Sequence, residues 1–148
     1  MAVIRNDLLA EFAFFSSILV LKMLAMSLLT GRQRFAKKVF ANPEDTRGKS
    51  AKVKLDDEDV ERVRRAHRND LENILPWFIM TFVWLTTGPS HLLAMILIRT
   101  FTLARIMHTL VYAIVPLQPH RAITFFVGYG ITGYQAISTL IYYSKFND

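Results

Sequence analysis

Hydrophobic residues along this chain gather into four long blocks that are separated by polar segments. The blocks cover about residues 8–30, 71–87, 91–115 and 122–143. At ~1.5 Å per residue, the first block forms a helix long enough to cross the ~30 Å hydrocarbon layer of a bilayer. Gly88, Pro89 and Pro116 lie at block ends, where such residues stop helices. The pattern therefore predicts an all-α fold, an integral membrane four-helix bundle that forms a single domain over residues 1–148.

The second block continues a charged helical pattern that begins well before it. Asp56 and Asp57 precede this pattern, and aspartate is favoured at the N-cap and in the first turn of a helix. We therefore expect one long helix that projects from the membrane into the basic segment 31–70. Pro76 lies inside this helix and is expected to bend it, because proline removes one backbone hydrogen bond.

The composition agrees with a membrane protein and excludes several other classes. Hydrophobic residues make up 52% of the chain, and there is no cysteine, so disulfide frameworks, thiolate nucleophiles and cysteine-based metal sites are excluded. The net charge is +6, but segment 31–70 holds 12 of the 18 basic residues. By the positive-inside rule this segment is a cytoplasmic loop rather than a nucleic-acid binding surface, and both termini lie on the opposite side of the membrane.

Several ionisable residues fall inside or beside the predicted spans, where an unpaired charge costs at least ~2.5 kcal/mol. Glu11 and Lys22 share one face of the first helix, which we expect to be retained rather than cleaved as a signal peptide. They form either a polar contact between helices or part of a functional site. The second helix also carries polar residues on one face: Glu61, Arg65, Arg68, Asn69 and Glu72. This face is either a solvated charged surface or a binding site, and its position at the membrane threshold favours the second.

Four arginines lie toward the cytoplasmic ends of the predicted helices, one of them a few turns deeper: Arg34, Arg68, Arg121 and the deeper Arg105. Converging arginines favour an anion site that binds carboxylates in bidentate geometry. Glu72 beside them suits a ligand that also carries an ammonium group, such as glutathione. His108 and Tyr112 follow Arg105 along one helix face, but no suitably spaced carboxylate accompanies His108, so no metal site is expected.

Several stretches of the sequence carry a resemblance to a known family. Residues 39–45 read Val-Phe-Ala-Asn-Pro-Glu-Asp, and residues 60–73 read Val-Glu-Arg-Val-Arg-Arg-Ala-His-Arg-Asn-Asp-Leu-Glu-Asn. Further matching positions are Ala104-Arg105, His108-Thr109, Tyr112, Arg121 and Phe125–Gly130. With these motifs the chain resembles the membrane-associated proteins in eicosanoid and glutathione metabolism (MAPEG) along all four blocks. It is more similar to their glutathione transferase branch than to their prostaglandin E synthase branch.

The resemblance implies an assembly, a location and an activity. It implies a homotrimer of four-helix subunits in the endoplasmic reticulum membrane, with the outer mitochondrial membrane as a second location. Glutathione sites are then expected between subunits, open to the cytoplasm. The implied activity adds the thiolate of glutathione to hydrophobic electrophiles, and extends to glutathione-dependent reduction of lipid hydroperoxides. Glutathione is the expected co-substrate without a metal, and membrane lipids and electrophilic small molecules are the expected partners.

The resemblance also implies roles for individual residues. It makes Arg121 the catalytic residue that stabilises the thiolate, Glu72 the contact for the glutathione amine, and Arg34 and Arg68 the contacts for its carboxylates. The other expected glutathione contacts are Asn69, His108 and Tyr112. The residues expected to support or line the site are Arg65 and Arg105.

Two positions separate this chain from particular branches of the family. Prostaglandin E synthases carry a serine and then a tyrosine shortly after the position of Arg121, where this chain has Ala122 and Phe125. Isomerase activity is therefore the less favoured enzymatic alternative. The familiar mammalian transferase carries a cysteine where Thr46 stands, so activation by thiol reagents is expected to be absent.

Two alternatives outside enzyme chemistry remain open. A non-catalytic lipid-binding protein is one of them, but the retention of Arg68, Asn69, Glu72 and Arg121 argues against it, because such a protein needs no glutathione site. A small transporter would also bury charges, although transporters usually show internal repeats and this chain has none.

Overall fold

The computed structural model describes residues 4–46 and 50–146, which form four long helices and their connections. The helices are α1 (Asn6–Lys37), α2 (Glu58–Leu85), α3 (His91–Thr109) and α4 (His120–Ser144). Both α1 and α4 pack against α2 and α3, so the four helices form a bundle. The all-helical, four-helix prediction is confirmed. Within the described residues, two helical segments are long and apolar enough to cross a membrane, Asn6–Lys37 and His91–Ile114.

The third helix continues beyond Thr109 as a π-helical turn over Leu110–Ile114. A π-helical turn holds more residues than an α-helical turn, so it changes the direction in which the following side chains point. The turn adjoins His108 and contains Tyr112, which are both predicted site residues. Sequence periodicity predicts one regular helix over residues 91–115 and does not reveal this irregularity.

The connection between the first two helices differs from the loop that the sequence predicts. Helix α1 continues into the basic segment and ends only at Lys37. The chain then forms β1 (Val39–Phe40), which pairs in parallel with β2 (Lys52–Val53). The sequence does not predict this small sheet, because strands of two residues are too short to show alternation. Arg47 and Lys49, which belong to the predicted basic loop, lie outside the described residues.

Helix α2 is capped by Asp57, as predicted. Its Oδ1 accepts hydrogen bonds from the backbone N–H groups of Asp59 at 3.2 Å and Val60 at 3.4 Å. The helix then runs without interruption through Pro76. One helix therefore joins the charged segment to the apolar second block.

An ion pair between Lys37 and Asp59 joins the outer ends of α1 and α2. The side-chain hydrogen bond lowers the pKa of Asp59 and raises the pKa of Lys37 relative to their ordinary values. The stabilising contribution is therefore present at neutral pH. It is lost as the pH falls through the lowered pKa of Asp59 or rises through the raised pKa of Lys37. Because both side chains are exposed, solvent screening keeps this contribution small.

An apolar core lies where the helices meet. Trp77 of α2 and Phe101 of α3 are fully buried and stack with their ring centroids 4.3 Å apart and their planes 1° from parallel. The buried side chains of Leu19, Ile74 and Ile98 surround this pair. Stacked, buried aromatic rings of this kind contribute both apolar burial and specific geometry, so they hold α2 against α3.

The outer surface of the bundle is rich in exposed apolar side chains. Leu28 on α1 is 76% exposed and Leu140 on α4 is 71% exposed. Soluble monomers rarely expose large contiguous apolar surfaces. These side chains therefore favour a non-aqueous neighbour on this surface.

Candidate active site

A cavity of about 260 Å³ lies where α2, α4 and the π-helical end of α3 meet. Four residues that the sequence predicts for the site line it together: Asn69, His108, Tyr112 and Arg121. The other lining residues are Gln118, Ala122, Phe125 and Phe126. The cavity therefore combines a polar, cationic side with an aromatic side, which suits a ligand that has both characters.

Arg121 lies in the first turn of α4, where two contacts orient its guanidinium. Its Cζ lies 4.6 Å from the centroid of the Tyr112 ring, in cation–π geometry. With the amide oxygen of Gln118 turned toward the guanidinium, this oxygen accepts hydrogen bonds from Nε at 3.1 Å and Nη2 at 2.5 Å. No carboxylate in the described part of the chain forms an ion pair with Arg121. Arg121 is thus a positioned cation that has no anionic partner in residues 4–46 and 50–146.

His108 and Tyr112 form the α3 side of the cavity. His108 is 2% exposed, and its ring meets the Tyr112 ring edge-on with centroids 5.4 Å apart. The Nδ1 atom of His108 is buried, and no described residue forms a hydrogen bond with it. Across the described ranges, no three histidine or acidic side chains are grouped as metal ligands. An unsatisfied buried nitrogen in a cavity wall is typical of a site that a ligand or water completes.

Three buried charged side chains from three helices lie behind the cavity, and we call them the buried ion cluster: Lys22, Asp70 and Arg105. Asp70 Oδ1 accepts a hydrogen bond from Arg105 Nη2 at 2.6 Å, while its Oδ2 forms an ion pair with Lys22. The Asp70 and Arg105 side chains are fully buried, and the Lys22 side chain is only 11% exposed. Arg105 Nη2 also donates to Asn69 Oδ1 at 2.9 Å. Arg105 therefore lies behind Asn69 and orients its amide.

Glu11 and Lys22, the two charges predicted on one face of α1, pair with different helices. Glu11 Oε1 lies 2.5 Å from Arg99 Nε on α3, whereas Lys22 pairs with Asp70 on α2. Both therefore make polar contacts between helices, the first of the two predicted interpretations. Lys22 in addition belongs to the cluster behind the cavity.

The other predicted site residues lie toward the outer surface of α1 and α2. Arg34 lines a separate cavity beside the connection that follows α1, and its Nη1 atom is buried with no partner among the described residues. Arg68 Nε lies 4.0 Å from Glu72 Oε1, and these side chains are 72% and 63% exposed. Arg65 lies beside Arg68 in a small surface cleft. Within one chain, the predicted arginines therefore do not share one cavity.

Two residues of the site are missed by sequence reasoning, Asp70 and Gln118. Asp70 carries a usable signal, because an acidic residue at the start of an apolar block needs a buried cation as a partner, and Lys22 is one. Gln118 carries no such signal. It lies in the short polar turn before α4, where a glutamine is unremarkable, and only the fold brings its amide to Arg121.

A larger cavity of about 760 Å³ lies between α1 and α2, and no predicted site residue lines it. Its walls are mostly aliphatic and aromatic: Phe12, Ser16, Ser17, Val20, Leu21, Phe78, Ile79, Phe82 and Val83. Two serines are the polar residues in this set. The cavity therefore belongs to the apolar outer surface of the bundle rather than to the polar site.

Comparison with known proteins identifies the family of the chain. The sequence model of the MAPEG family matches residues 12–141. Microsomal glutathione S-transferase 1 from Rattus norvegicus is 46% identical over 132 residues, covering 86% of this chain and 85% of the relative. The protein of the same name from Homo sapiens is 42% identical over 148 residues, covering 95% and 96%. Prostaglandin E synthase from Equus caballus is 38% identical over 128 residues, covering 86% and 84%.

Proposed function

The chain belongs to the MAPEG family, and we propose that it is a membrane glutathione transferase that adds the thiolate of glutathione to hydrophobic electrophiles. The observation that carries this proposal is Arg121, an oriented cation without a carboxylate partner in the described residues, in a cavity that it shares with Asn69 and Tyr112. The identity of 42–46% to proteins named microsomal glutathione S-transferase 1 supports the same activity.

Arg121 promotes the reaction by favouring the charged form of the glutathione thiol. A nearby cation lowers the pKa of a thiol, and the thiolate is the nucleophilic form. The thiol proton passes to water. The sulfur then forms a C–S bond at the electrophilic carbon, while the leaving group departs with its electron pair. The protein requires no cysteine of its own for this chemistry, and it has none.

The remaining predicted residues suit the polar ends of glutathione. Because Asn69 Oδ1 accepts a hydrogen bond from Arg105, the amide nitrogen of Asn69 is the group left to donate to a ligand. Arg34 and Arg68 offer guanidinium groups for the two carboxylates. Glu72 offers a carboxylate for the amine. Glutathione carries all of these complementary groups in one small molecule.

We infer that these residues come together between the subunits of a homotrimer. Within one chain, Arg68 and Glu72 lie exposed on α2, away from the cavity that holds Arg121. Both residues adjoin the apolar second block, and charged side chains at membrane depth are costly unless a ligand, another subunit or water accompanies them. A neighbouring copy whose α2 face meets this cavity would complete the set of glutathione contacts.

We further propose that all four helices cross the membrane of the endoplasmic reticulum, with the outer mitochondrial membrane as a second location. The word microsomal in the names of the relatives and the two long apolar segments support a membrane location. The basic connection between α1 and α2 then lies in the cytoplasm. In this arrangement, the apolar cavity of about 760 Å³ faces the acyl chains, in which hydrophobic electrophiles dissolve.

The side chains that line the cavity favour transfer over prostaglandin isomerisation. Ala122 and Phe125 present only hydrocarbon to the cavity, so the hydroxyl groups expected of the isomerase branch are missing at these two positions. Reduction of lipid hydroperoxides uses the same thiolate with an apolar acceptor. In that reaction the lipid hydroperoxide is reduced to an alcohol and water by cleavage of its O–O bond, while two glutathione molecules are oxidised to glutathione disulfide. We therefore include this reduction in the proposed activity.

Purified protein in lipid nanodiscs tests the proposal. Glutathione should produce the ultraviolet absorbance of a thiolate at neutral pH, and the protein should conjugate chlorodinitrobenzene. Binding of glutathione without conjugation of this or other hydrophobic electrophiles would favour a non-catalytic lipid-binding protein. Absence of glutathione binding would overturn the proposal, and turnover of a prostaglandin endoperoxide in place of conjugation would favour the isomerase alternative.

A further inference from the structure

The buried ion cluster contains two cations and one carboxylate. Lys22 and Arg105 both pair with Asp70, one with each carboxylate oxygen. No other carboxylate in residues 4–46 and 50–146 pairs with either cation. The cluster therefore carries one net positive charge in a region that excludes most water. Burying charged groups is costly, and pairing offsets the cost only in part.

The uncompensated charge lies next to the wall of the active-site cavity. Arg105 contacts Asn69, and Asn69 and His108 both line the cavity. The Nε and Nη1 atoms of Arg105 are buried, and neither has a hydrogen-bond partner among the described residues. Electrostatic interactions in such a region are screened less than in water, so the cluster acts on an anion in the cavity.

All packed elements contribute titratable or charged groups to this region. They are Lys22 on α1, Asp70 on α2, Arg105, His108 and Tyr112 on α3 and its π-helical end, and Arg121 on α4. Asp70 is the one acidic group in this set. Neither Lys22 nor Asp70 lines the cavity, so they influence a ligand through their charge and through Arg105 rather than by contact.

We propose that Lys22 and Asp70 set the electrostatic potential of the cavity, and that the single positive charge of the buried ion cluster stabilises the glutathione thiolate together with Arg121. This inference rests on the proposed function, because it concerns the anion that forms in that site. Preorganised charges around a reacting centre act without reorganisation during the reaction, which makes them effective in catalysis. Lys22 and Asp70 are positioning residues, and Asp70 also limits the charge by neutralising one of the two cations.

The test asks whether the pKa of the bound glutathione thiol changes with the net charge of the buried ion cluster. In Lys22→Met, Asp70 and Arg105 remain and the cluster becomes neutral, so the thiol pKa should rise by about 0.5–1 unit. The double variant Lys22→Met with Asp70→Asn leaves Arg105 alone and restores the single positive charge. Its thiol pKa should return toward the value of the unaltered protein. The pKa is measured by titrating the thiolate absorbance of the protein–glutathione complex in nanodiscs.

Two remote substitutions and one conservative one serve as matched controls. Glu11→Gln and Arg99→Met remove one charge each from the ion pair between α1 and α3 that lies about three helical turns along α1 from Lys22. These variants should leave the thiol pKa unchanged. Lys22→Arg keeps the charge and should keep the pKa low. Thermal unfolding of every variant in the same nanodiscs identifies any loss of folded protein.

A purely structural role makes the opposite prediction for the double variant. If the ion pair only holds the helices together, removing both partners should restore neither the pKa nor the folded state. The proposal is overturned if Lys22→Met forms thiolate with an unchanged pKa, or if the double variant shows the same raised pKa as Lys22→Met. If the unaltered protein forms no thiolate at all, the proposed function fails instead.

Discussion

Arg121 lies across the ring of Tyr112, with its Cζ 4.6 Å from the ring centroid. The two residues come from different elements, the first turn of α4 and the π-helical end of α3. The Tyr112 ring therefore contacts the Arg121 guanidinium from the end of α3, and Gln118 contacts it from the turn that precedes α4. Because the effect of a cation on a thiol depends on distance and orientation, this packing contact has consequences for the chemistry of the site.

Replacing Arg121 by leucine should remove most of the stabilisation of the thiolate. The thiol pKa should rise by about one to two units, so the conjugation rate at pH 7 should fall by ~10- to 100-fold. The rate should recover partly as the pH approaches the ordinary pKa of the free thiol. A pH–rate profile measures this recovery. Arg121→Lys keeps the charge and should lose less activity, whereas an unchanged thiolate signal in Arg121→Leu would point to Arg105 instead.

Two substitutions of Tyr112 distinguish the contribution of its ring from the contribution of its hydroxyl group. Tyr112→Phe keeps the ring under Arg121 and should retain most of the activity. Tyr112→Leu removes the cation–π contact, worth about 0.5–1 kcal/mol or more, and should lower the rate by ~3- to 10-fold. Steady-state kinetics with glutathione as the varied substrate measure both variants. Equal losses in the two would show that the hydroxyl group, and not the ring, is what the site uses.

Co-expression of two defective subunits tests whether the site combines residues of different copies. Arg121→Leu and Glu72→Ala should each be weakly active alone. Mixed trimers of the two should contain some sites with both residues intact, so their activity should exceed that of either variant. Arg121→Leu with Tyr112→Leu is the matched control and should show no gain, because both residues line one cavity of one chain. If the detergent-corrected mass shows a monomer that still binds glutathione, the proposed trimer is wrong.

The unmodified protein should not be activated by N-ethylmaleimide, because it has no cysteine. Thr46 follows the short helical turn Pro43–Asp45, and its Oγ1 donates a hydrogen bond to the carbonyl oxygen of Pro43 at 2.6 Å. Thr46→Cys should acquire activation by the reagent, measured as the conjugation rate after excess reagent is removed. Ser50→Cys places a thiol at an exposed position of the same connection and is the control. Activation of the unmodified protein would show that another nucleophile reacts.

The helices could be predicted from the sequence because their signals are local. A segment in lipid must satisfy its backbone hydrogen bonds within itself, so a long apolar block already implies a helix. The cap at Asp57 is also local, since its donors, Asp59 and Val60, lie within three residues. The end of α1 at Lys37 could not be predicted in this way, because hydropathy changes at the membrane boundary and a helix can continue beyond it.

The candidate site could be predicted in part. Asn69, His108, Tyr112 and Arg121 are singled out both by their positions in the sequence pattern and by the resemblance, and they lie around one cavity. Their role as glutathione contacts stays a prediction. The sequence indicates that Asp70 needs a buried cation, but it does not identify which one, because Lys22 and Arg105 both lie far from it in sequence and on other helices.

By itself, the sequence determined the four helices and the residue types available for chemistry in the polar site. Only the tertiary structure decided which charges neutralise one another: Arg105 and Lys22 share Asp70, while Arg121 faces the cavity with no carboxylate partner in the described residues. The physical reason is that such pairing depends on the rotation and register of packed helices. Those are set by contacts between distant segments, such as the stacking of Trp77 on Phe101, and no local pattern encodes them.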